Sequence, residues 1–343
     1  MLEKRVDRDI FISFRIRLAR NLKNYPFVNR APSQILKEIK DRVKKAINKI
    51  PFFNDFWRID PETLDPIERG ILAEERWISF GFACAEHPRY LFLSPSKRIS
   101  IMVNEEDHLR LQFFTCENGE ERRKYLEKII GIDRLLEKEL PFAVSMKWGY
   151  LTACPTNLGT GLRASVCLHL PALGLTGRIK EIAQRWEKEG WEIRGIFGEG
   201  TPGAGNLFQI TNRYTLGWSE EEILEGLEKK EKEIKEEELV LRAWLLKEGR
   251  IEWEDKFMRA LALLRFAPKL NTYEALEYLS ILWLASVFGI INLIEDESMK
   301  RLFLEIQPFH LQRREGRNLT PVERDILRAE YIRESIFRQV GNA

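Results

Sequence analysis

The stretch "WEIRGIFGEGTPGAGNLFQITN", residues 191–212, sets a glycine loop between two strand-like runs. Gly198, Gly200 and Gly203 in that loop share the G-x-G-x-x-G spacing of dinucleotide-binding turns. Such a turn must open into a helix whose N-terminus receives the pyrophosphate. Here Pro202, Gly203, Ala204 and Gly205 lead instead into "NLFQITN", which reads as a strand. No acidic residue closes a second strand about 20 positions on, and G-x-x-x-x-G-K-[ST] is absent from the sequence. A dinucleotide fold therefore fails. Taken alone, the loop reads as an ordinary hairpin that exposes Glu199.

Periodicity places other elements around this loop. Ile35, Ile39, Val43 and Ile47 predict a helix within residues 31–50, after an extended, arginine-rich arm over residues 1–30. "RYLFLS" and "ISIMVNEEDHLRLQFF" read as antiparallel strands separated by a turn at "PSKR". A helical period returns in "ERRKYLEKIIGIDRLLEKEL", and "GLRASVCLHL" is again strand-like. Beyond residue 218 the pattern is all helical. Its first helix, "SEEEILEGLEKKEKEIKEEEL", reads as a solvated connector. In the last, Thr320, Pro321 and Glu323 form a capping box with proline at the first helical position. The apolar run from Leu279 to Ile294 is shorter than the roughly 20 residues of a membrane span, so it predicts a buried or dimer-facing helix.

Charge narrows the function classes. The 343 residues carry a net charge of only +2, which gives no general drive toward nucleic acid or an anionic membrane. Cys84, Cys116, Cys154 and Cys167 form no C-x-x-C pair, so neither a disulfide framework nor a zinc site is expected and a cytoplasmic setting is the default.

Local clusters point to chemistry instead. Arg15 and Arg17 lie two residues apart on a strand and share a face. Arg110, Arg163 and Arg194 sit on three further segments. Arginine grips phosphate oxygens in pairs and keeps its charge at ordinary pH. Glu105, Glu106 and Asp107 are consecutive, repel one another, and require a cation nearby. Arginines in a basket with Mg²⁺ suit phosphoryl transfer. Two glutamates, Glu106 and Glu199, suit a guanidinium acceptor, because each carboxylate can fork onto its N–H edge.

The segments "SFRIRLARNL", "NEEDHLR", "CPTNLGTGLRASV" and "RGIFGEG" resemble the phosphagen (guanidino) kinases, and within them the bacterial McsB-type protein-arginine kinases, in order from about residue 10 to residue 333. The resemblance implies an α+β fold. It places a phosphagen-kinase-like catalytic domain over residues 1–218, with an antiparallel sheet flanked by helices, before an all-helical domain over residues 219–343. It implies ATP contacts by Ser13, Phe14, Arg15, Ile16 and Arg17, by Arg110, and by Arg163, Ala164, Ser165, Val166 and Cys167. The last ATP-contacting segment is Arg194, Gly195, Ile196, Phe197, Gly198 and Glu199. Glu106 and Glu199 match the catalytic carboxylates, Glu105 stands beside the first, and Cys154 matches a cysteine near the acceptor guanidinium. Mg²⁺ would arrive with the nucleotide. Arg324, Asp325, Arg328 and Ala329 match the R-D-x-x-R-A motif tied to an allosteric phosphoarginine pocket.

Only twelve residues precede Ser13, so the lid that small-substrate relatives carry is expected to be missing and the acceptor to be a protein arginine. A kinase of free arginine or another small guanidino compound and a catalytically weak phosphoarginine-binding adaptor are the rival readings. The resemblance further implies a homodimer, a zinc-finger activator, a stress-response repressor and a Clp-type unfoldase as partners. Phe14, Arg76 and Pro202 depart from the family pattern, which has a serine, a histidine and an acidic residue there.

Overall fold

The computed structural model describes residues 7–117, 121–196, 203–291 and 293–337. Its elements begin with β1 (Phe11–Arg20), α1 (Ser33–Asn48), β2 (Trp57–Ile59), α2 (Pro66–Glu74) and α3 (Phe80–Cys84). Three strands follow, β3 (Tyr90–Leu93), β4 (Ile99–Val103) and β5 (Leu109–Thr115), and then α4 (Arg122–Glu137). A short hairpin, β6 (Val144–Ser145) with β7 (Gly149–Tyr150), precedes β8 (Leu162–His169). Helices α5 (Pro171–Leu175) and α6 (Ile179–Glu187) lead to β9 (Trp191–Gly195) and β10 (Leu207–Asn212). The remainder is helical: α7 (Glu220–Glu248), α8 (Arg250–Phe266), α9 (Thr272–Val287), α10 (Asp296–Glu305), α11 (Pro308–Glu315) and α12 (Pro321–Phe337).

Among the described residues eight strands hydrogen-bond in the order β2-β3-β4-β5-β1-β8-β10-β9. The pairs from β2 through β5 to β1 are antiparallel. The expected strand "ISIMVNEEDHLRLQFF" is thus two strands, because Asn104 turns the chain at φ 57°. Its N–H donates to the His108 carbonyl at 2.9 Å, which closes a hairpin around the three acids. The expected arm is likewise a sheet strand: Phe14, Ile16 and Leu18 of β1 are buried on one face. Residues near 80 form the short helix α3, with Ser79 capping it through the Phe82 N–H at 3.0 Å.

The chain divides into two compact units, Ser13–Val166 with Thr211–Lys229, and Met1–Ile12 with Cys167–Ile210 and Lys230–Ala343. In the second, α9 is the core: Leu276, Leu279, Leu282 and Trp283 pack with Leu264, Met299, Phe303, Ile332 and Ile336. The apolar run is therefore helical and buried as far as Val287, where α9 ends, and no helix among the described residues is long and apolar enough to cross a membrane. Local signals delimit the helices. Asn271 and Glu274 make a reciprocal capping box on α9. On α12 Thr320 and Glu323 make the expected one, at 2.7 and 3.3 Å.

α7 departs from the solvated connector read from its sequence. Lys230, Glu231, Glu238 and Arg242 are buried. Arg242 donates to both Asp9 oxygens at 2.7 and 2.9 Å and to Glu238 at 2.7 Å. Glu238 in turn accepts the backbone N–H groups of Ala172 and Leu173 at 3.0 and 2.9 Å. His169 bridges Asp9 at 2.8 Å and Ser280 at 2.7 Å. Burial alone would raise the Asp9 carboxyl, but Arg242 and then His169 hold it far below the carboxylate range. Each buried charge is compensated, so removing one partner is costly.

Asp9→Asn leaves Arg242 short of its bidentate acceptor and should destabilise the protein by about 3–5 kcal/mol, read from urea unfolding; a loss within experimental error would show that the network is not structural. A second expectation concerns acid. The Thr320 N–H, then the Arg317 guanidinium and the Thr320 hydroxyl, lower the Glu323 carboxyl from 4.5 to about 2. The cap's contribution is complete above pH 4.5 and disappears as the pH falls through about 2. Glu323→Gln should lower Tm at neutral pH, and the gap from wild type should narrow below pH 4.5 and close near pH 2.

Candidate active site

The β1–β5 register creates the site. Arg17 pairs with Gln112 and Ala19 with Arg110, so Arg15, Arg17, Arg110 and Gln112 share one sheet face. Phe14 and Ile16 alternate to the other face and are core residues, with Arg122 4.9 Å from the Phe14 ring. Their side chains do not join the arginines. Ser13 does, accepting from Arg76 Nη1 at 3.0 Å. Burial, then the cations Arg110 and Arg163, lower the Arg17 guanidinium to about 9, with Glu105 opposing and Arg76 adding. Arg17 Nε is buried without a hydrogen-bond acceptor among the described residues. A crowd of cations with a spare buried donor is stabilised by an anion. The set fits phosphate oxygens.

The acid turn next to it answers the repulsion expected among its carboxylates. Arg110 bonds Glu106, reaches Glu105 at 2.5 Å and lies 3.4 Å from Asp107. Burial disfavours its charge, but Glu105, Asp107 and Glu106 outweigh that and raise its pKa. The three acids are not equivalent. Asp107 is fully buried and accepts from Asn21 and from the Ala153 N–H, both at 2.7 Å. Glu105 accepts from the Ser79 hydroxyl at 2.6 Å and from the Glu106 N–H at 2.7 Å. Glu106 is the exposed one, its side chain 47% accessible. It is therefore the carboxylate able to meet an acceptor. His108, in the same turn, is a strut: its Nδ1 accepts the Leu22 N–H at 3.0 Å and burial lowers its pKa.

Cys154 follows directly from Ala153, the residue bonded to Asp107. Its Sγ lies 3.1 Å from the Thr156 hydroxyl, at a half-buried position. The chain then turns at Gly159 and Gly161, with φ of 101° and 65°. A Cβ at Gly161 would meet the Ala19 carbonyl at 2.8 Å and Arg20 Nη1 at 2.7 Å, so only glycine fits there. Two residues later Arg163 donates to the Asn212 carbonyl at 3.2 and 2.9 Å. Ser165 is buried at the next same-side position, while Ala164 and Val166 are core residues.

Other expected residues lie elsewhere. Cys167 is buried in the apolar core around α9. Arg194 belongs to the second compact unit, where it pairs with Glu192. Gly195 ends β9, and Ile196 packs partly against that same core. Phe197, Gly198, Glu199 and Pro202 lie outside the described residues. On α12, Arg324 and Asp325 are half-buried, whereas Ala329 is core. Arg328 does not share Arg324's accessibility. It is 1% exposed and donates to the carbonyls of Ile306 and Leu270 and to Asp325, at 2.9, 2.8 and 2.7 Å. The i,i+4 spacing suggested one anion-binding face; burial makes Arg328 a fold contact that holds Asp325.

Sequence reasoning missed Asn21, Ser79, Asp107 and Asn212 as the groups that orient this site. Each acts through partners 26 to 130 residues away or through one backbone atom, and no spacing announces that. Among the described residues no cluster of His, Cys, Asp or Glu could hold a metal ion.

Comparison with known proteins assigns the chain to a family. Residues 38–241 match the ATP:guanido phosphotransferase C-terminal catalytic domain, and residues 250–342 the protein-arginine kinase McsB C-terminal domain. A protein-arginine kinase of Halothermothrix orenii is 44% identical over 327 residues, 95% of this chain and 93% of that one. One from Bacillus cereus is 41% identical over 332 residues, 96% of this chain and 93% of that one. Among solved structures, the duplicated taurocyamine kinase from Schistosoma mansoni with bound transition state analog components superposes with a TM-score of 0.61 at 22% identity, over 78% of this chain and 38% of that one. Lombricine kinase gives 0.59 at 23% identity, over 69% and 68%. These two share the fold. With a family model over more than half its length and close relatives over nearly all of it, the chain belongs to the ATP:guanido phosphotransferases, in their protein-arginine kinase family.

Proposed function

We propose that this protein transfers the γ-phosphoryl group of ATP to arginine side chains of proteins. The carrying observation is one sheet face that sets Arg17, Arg110 and Arg163 beside an acid turn whose one exposed carboxylate is Glu106. In this reading residues 1–218 carry out the transfer and residues 219–343 read its product.

The arginines neutralise the triphosphate, and Mg²⁺ carried by the nucleotide would add positive charge against the phosphoryl oxygens. Arg110 must divide its donors between phosphate and its own carboxylates. Nucleotide binding then draws charge away from Glu106 and leaves that carboxylate to the acceptor guanidinium. Glu106, with Glu199 as its proposed counterpart, holds the planar guanidinium and accepts a proton as a terminal nitrogen forms the N–P bond. The bond from γ-phosphorus to the bridging oxygen breaks, and ADP leaves. Glu105, fixed by Ser79 and Arg110, keeps the turn in shape rather than meeting the acceptor. Cys154 stands on the segment that Asp107 anchors, where it lines the acceptor side.

A second proposal concerns the product. In this proposal Arg324 and Asp325 of the R-D-x-x-R-A motif meet a phosphoarginine, while Arg328 bonds Asp325 from the buried side.

Glu106→Gln should lower kcat with Mg·ATP and an unfolded protein acceptor by about 10²–10⁴-fold, while nucleotide affinity changes little; unchanged turnover would remove Glu106 from the mechanism. For the product pocket, calorimetry with free phosphoarginine should show binding lost in Arg324→Ala and the Tm retained. Arg328→Ala, by contrast, should lower the Tm, since it strands two buried carbonyls at about 1–3 kcal/mol each. Undiminished binding by Arg324→Ala would refute the pocket.

A further inference from the structure

The tip of the β6–β7 hairpin breaks a rule of turn composition. Turns favour Gly, Asn, Asp and Ser, yet this one holds out Val144, Met146 and Trp148 at 54%, 105% and 43% exposure. Its shape does not depend on those side chains. Ser145 Oγ accepts the N–H groups of Lys147 and Trp148 at 3.2 and 3.3 Å. The Lys147 ammonium lies 4.7 Å from the Trp148 ring centroid. Polar atoms set the turn, and the apolar groups face water.

The hairpin is also tied to the acceptor side of the site. The Leu151 N–H donates to the Ala143 carbonyl at 2.9 Å, and the Ala143 N–H to the Asn21 carbonyl at 2.7 Å. Asn21 Nδ2 bonds both the Leu151 carbonyl and Asp107. From Tyr150 the chain runs straight to Ala153 on Asp107 and then to Cys154. A further exposed aromatic, Phe80 at 53%, follows Ser79, whose hydroxyl bonds Glu105. Exposed apolar side chains thus stand on two segments bonded to the acid turn.

We propose that this hairpin tip docks the polypeptide that flanks the acceptor arginine, taking an apolar or aromatic side chain close to it in sequence. The proposal rests on the reading of the protein as a protein-arginine kinase. Trp148 precedes Cys154 by six residues, a reach of at most about 20 Å in extended chain, so an extended acceptor needs no more than a similar number of residues to span it. Methionine and aromatic residues are the side chains that such contacts favour. The patch holds three or four side chains, too few for the roughly 1,200 Å² of a stable subunit interface, but enough for one or two residues of an unfolded segment.

The test compares wild type with the double variant Met146→Ser, Trp148→Ser on a disordered casein and on a blocked Gly-Arg-Gly tripeptide. Met146 lies fully in solvent and Trp148 is 43% exposed, and an unchanged Tm of the double variant shows that folding is not at stake. The proposal expects KM for casein to rise about tenfold, with kcat for casein and all tripeptide kinetics unchanged. An unchanged casein KM would overturn it, as would a parallel loss on the tripeptide, which would place these residues in the acceptor site itself. If wild type labels neither substrate, the kinase reading falls and the docking surface with it.

Discussion

The site depends on a balance of like charges. Arg17, Arg110, Arg163 and Arg76 crowd one sheet face, and three consecutive acids crowd the turn beside it. Neither group is stable alone. The β1–β5 register brings them together, so that Arg110 serves both, bonding all three carboxylates while adding to the field at Arg17. An electrostatic site of this kind is preorganised: the dipoles and charges are held in place by strands, so little reorganisation is needed when a phosphoryl group arrives.

Rigidity comes from partners far away in sequence. Asp107 is fully buried and ties the turn to Asn21 and Ala153, which fixes where Glu106 projects and where Cys154 lies. In the other compact unit, Arg242, Asp9, Glu238 and His169 form a closed buried network in which Arg242 serves both carboxylates. Replacing such networks by apolar residues is often neutral in stability, whereas losing one member is not.

Much of the fold was legible because it rests on local patterns. The two-residue arginine step in β1, the helical period of α1 and α4, and the Thr320–Glu323 box on α12 all formed where the sequence placed them. The failures share a cause. The acid turn looked like the middle of one long strand, since Asn104 in a left-handed conformation has no periodic signature. The charged face of α7 looked solvated because the partner of Arg242 lies 233 residues away. Arg328 looked like a ligand contact because spacing reports the face of a helix but not what packs on it. Glu199, central to the sequence reading, lies outside the described residues, and its pairing with Glu106 stays a proposal.

The claim that ties these features together is that the acceptor is a guanidinium nitrogen on a protein. The most direct measurement is ³¹P NMR of an unfolded acceptor protein after incubation with the enzyme and Mg·ATP, followed by mild acid and site mapping by mass spectrometry. The account predicts a phosphoramidate signal confined to arginine residues and lost in acid. Label on serine, threonine or tyrosine that survives acid, or label appearing on free arginine alone, would contradict it.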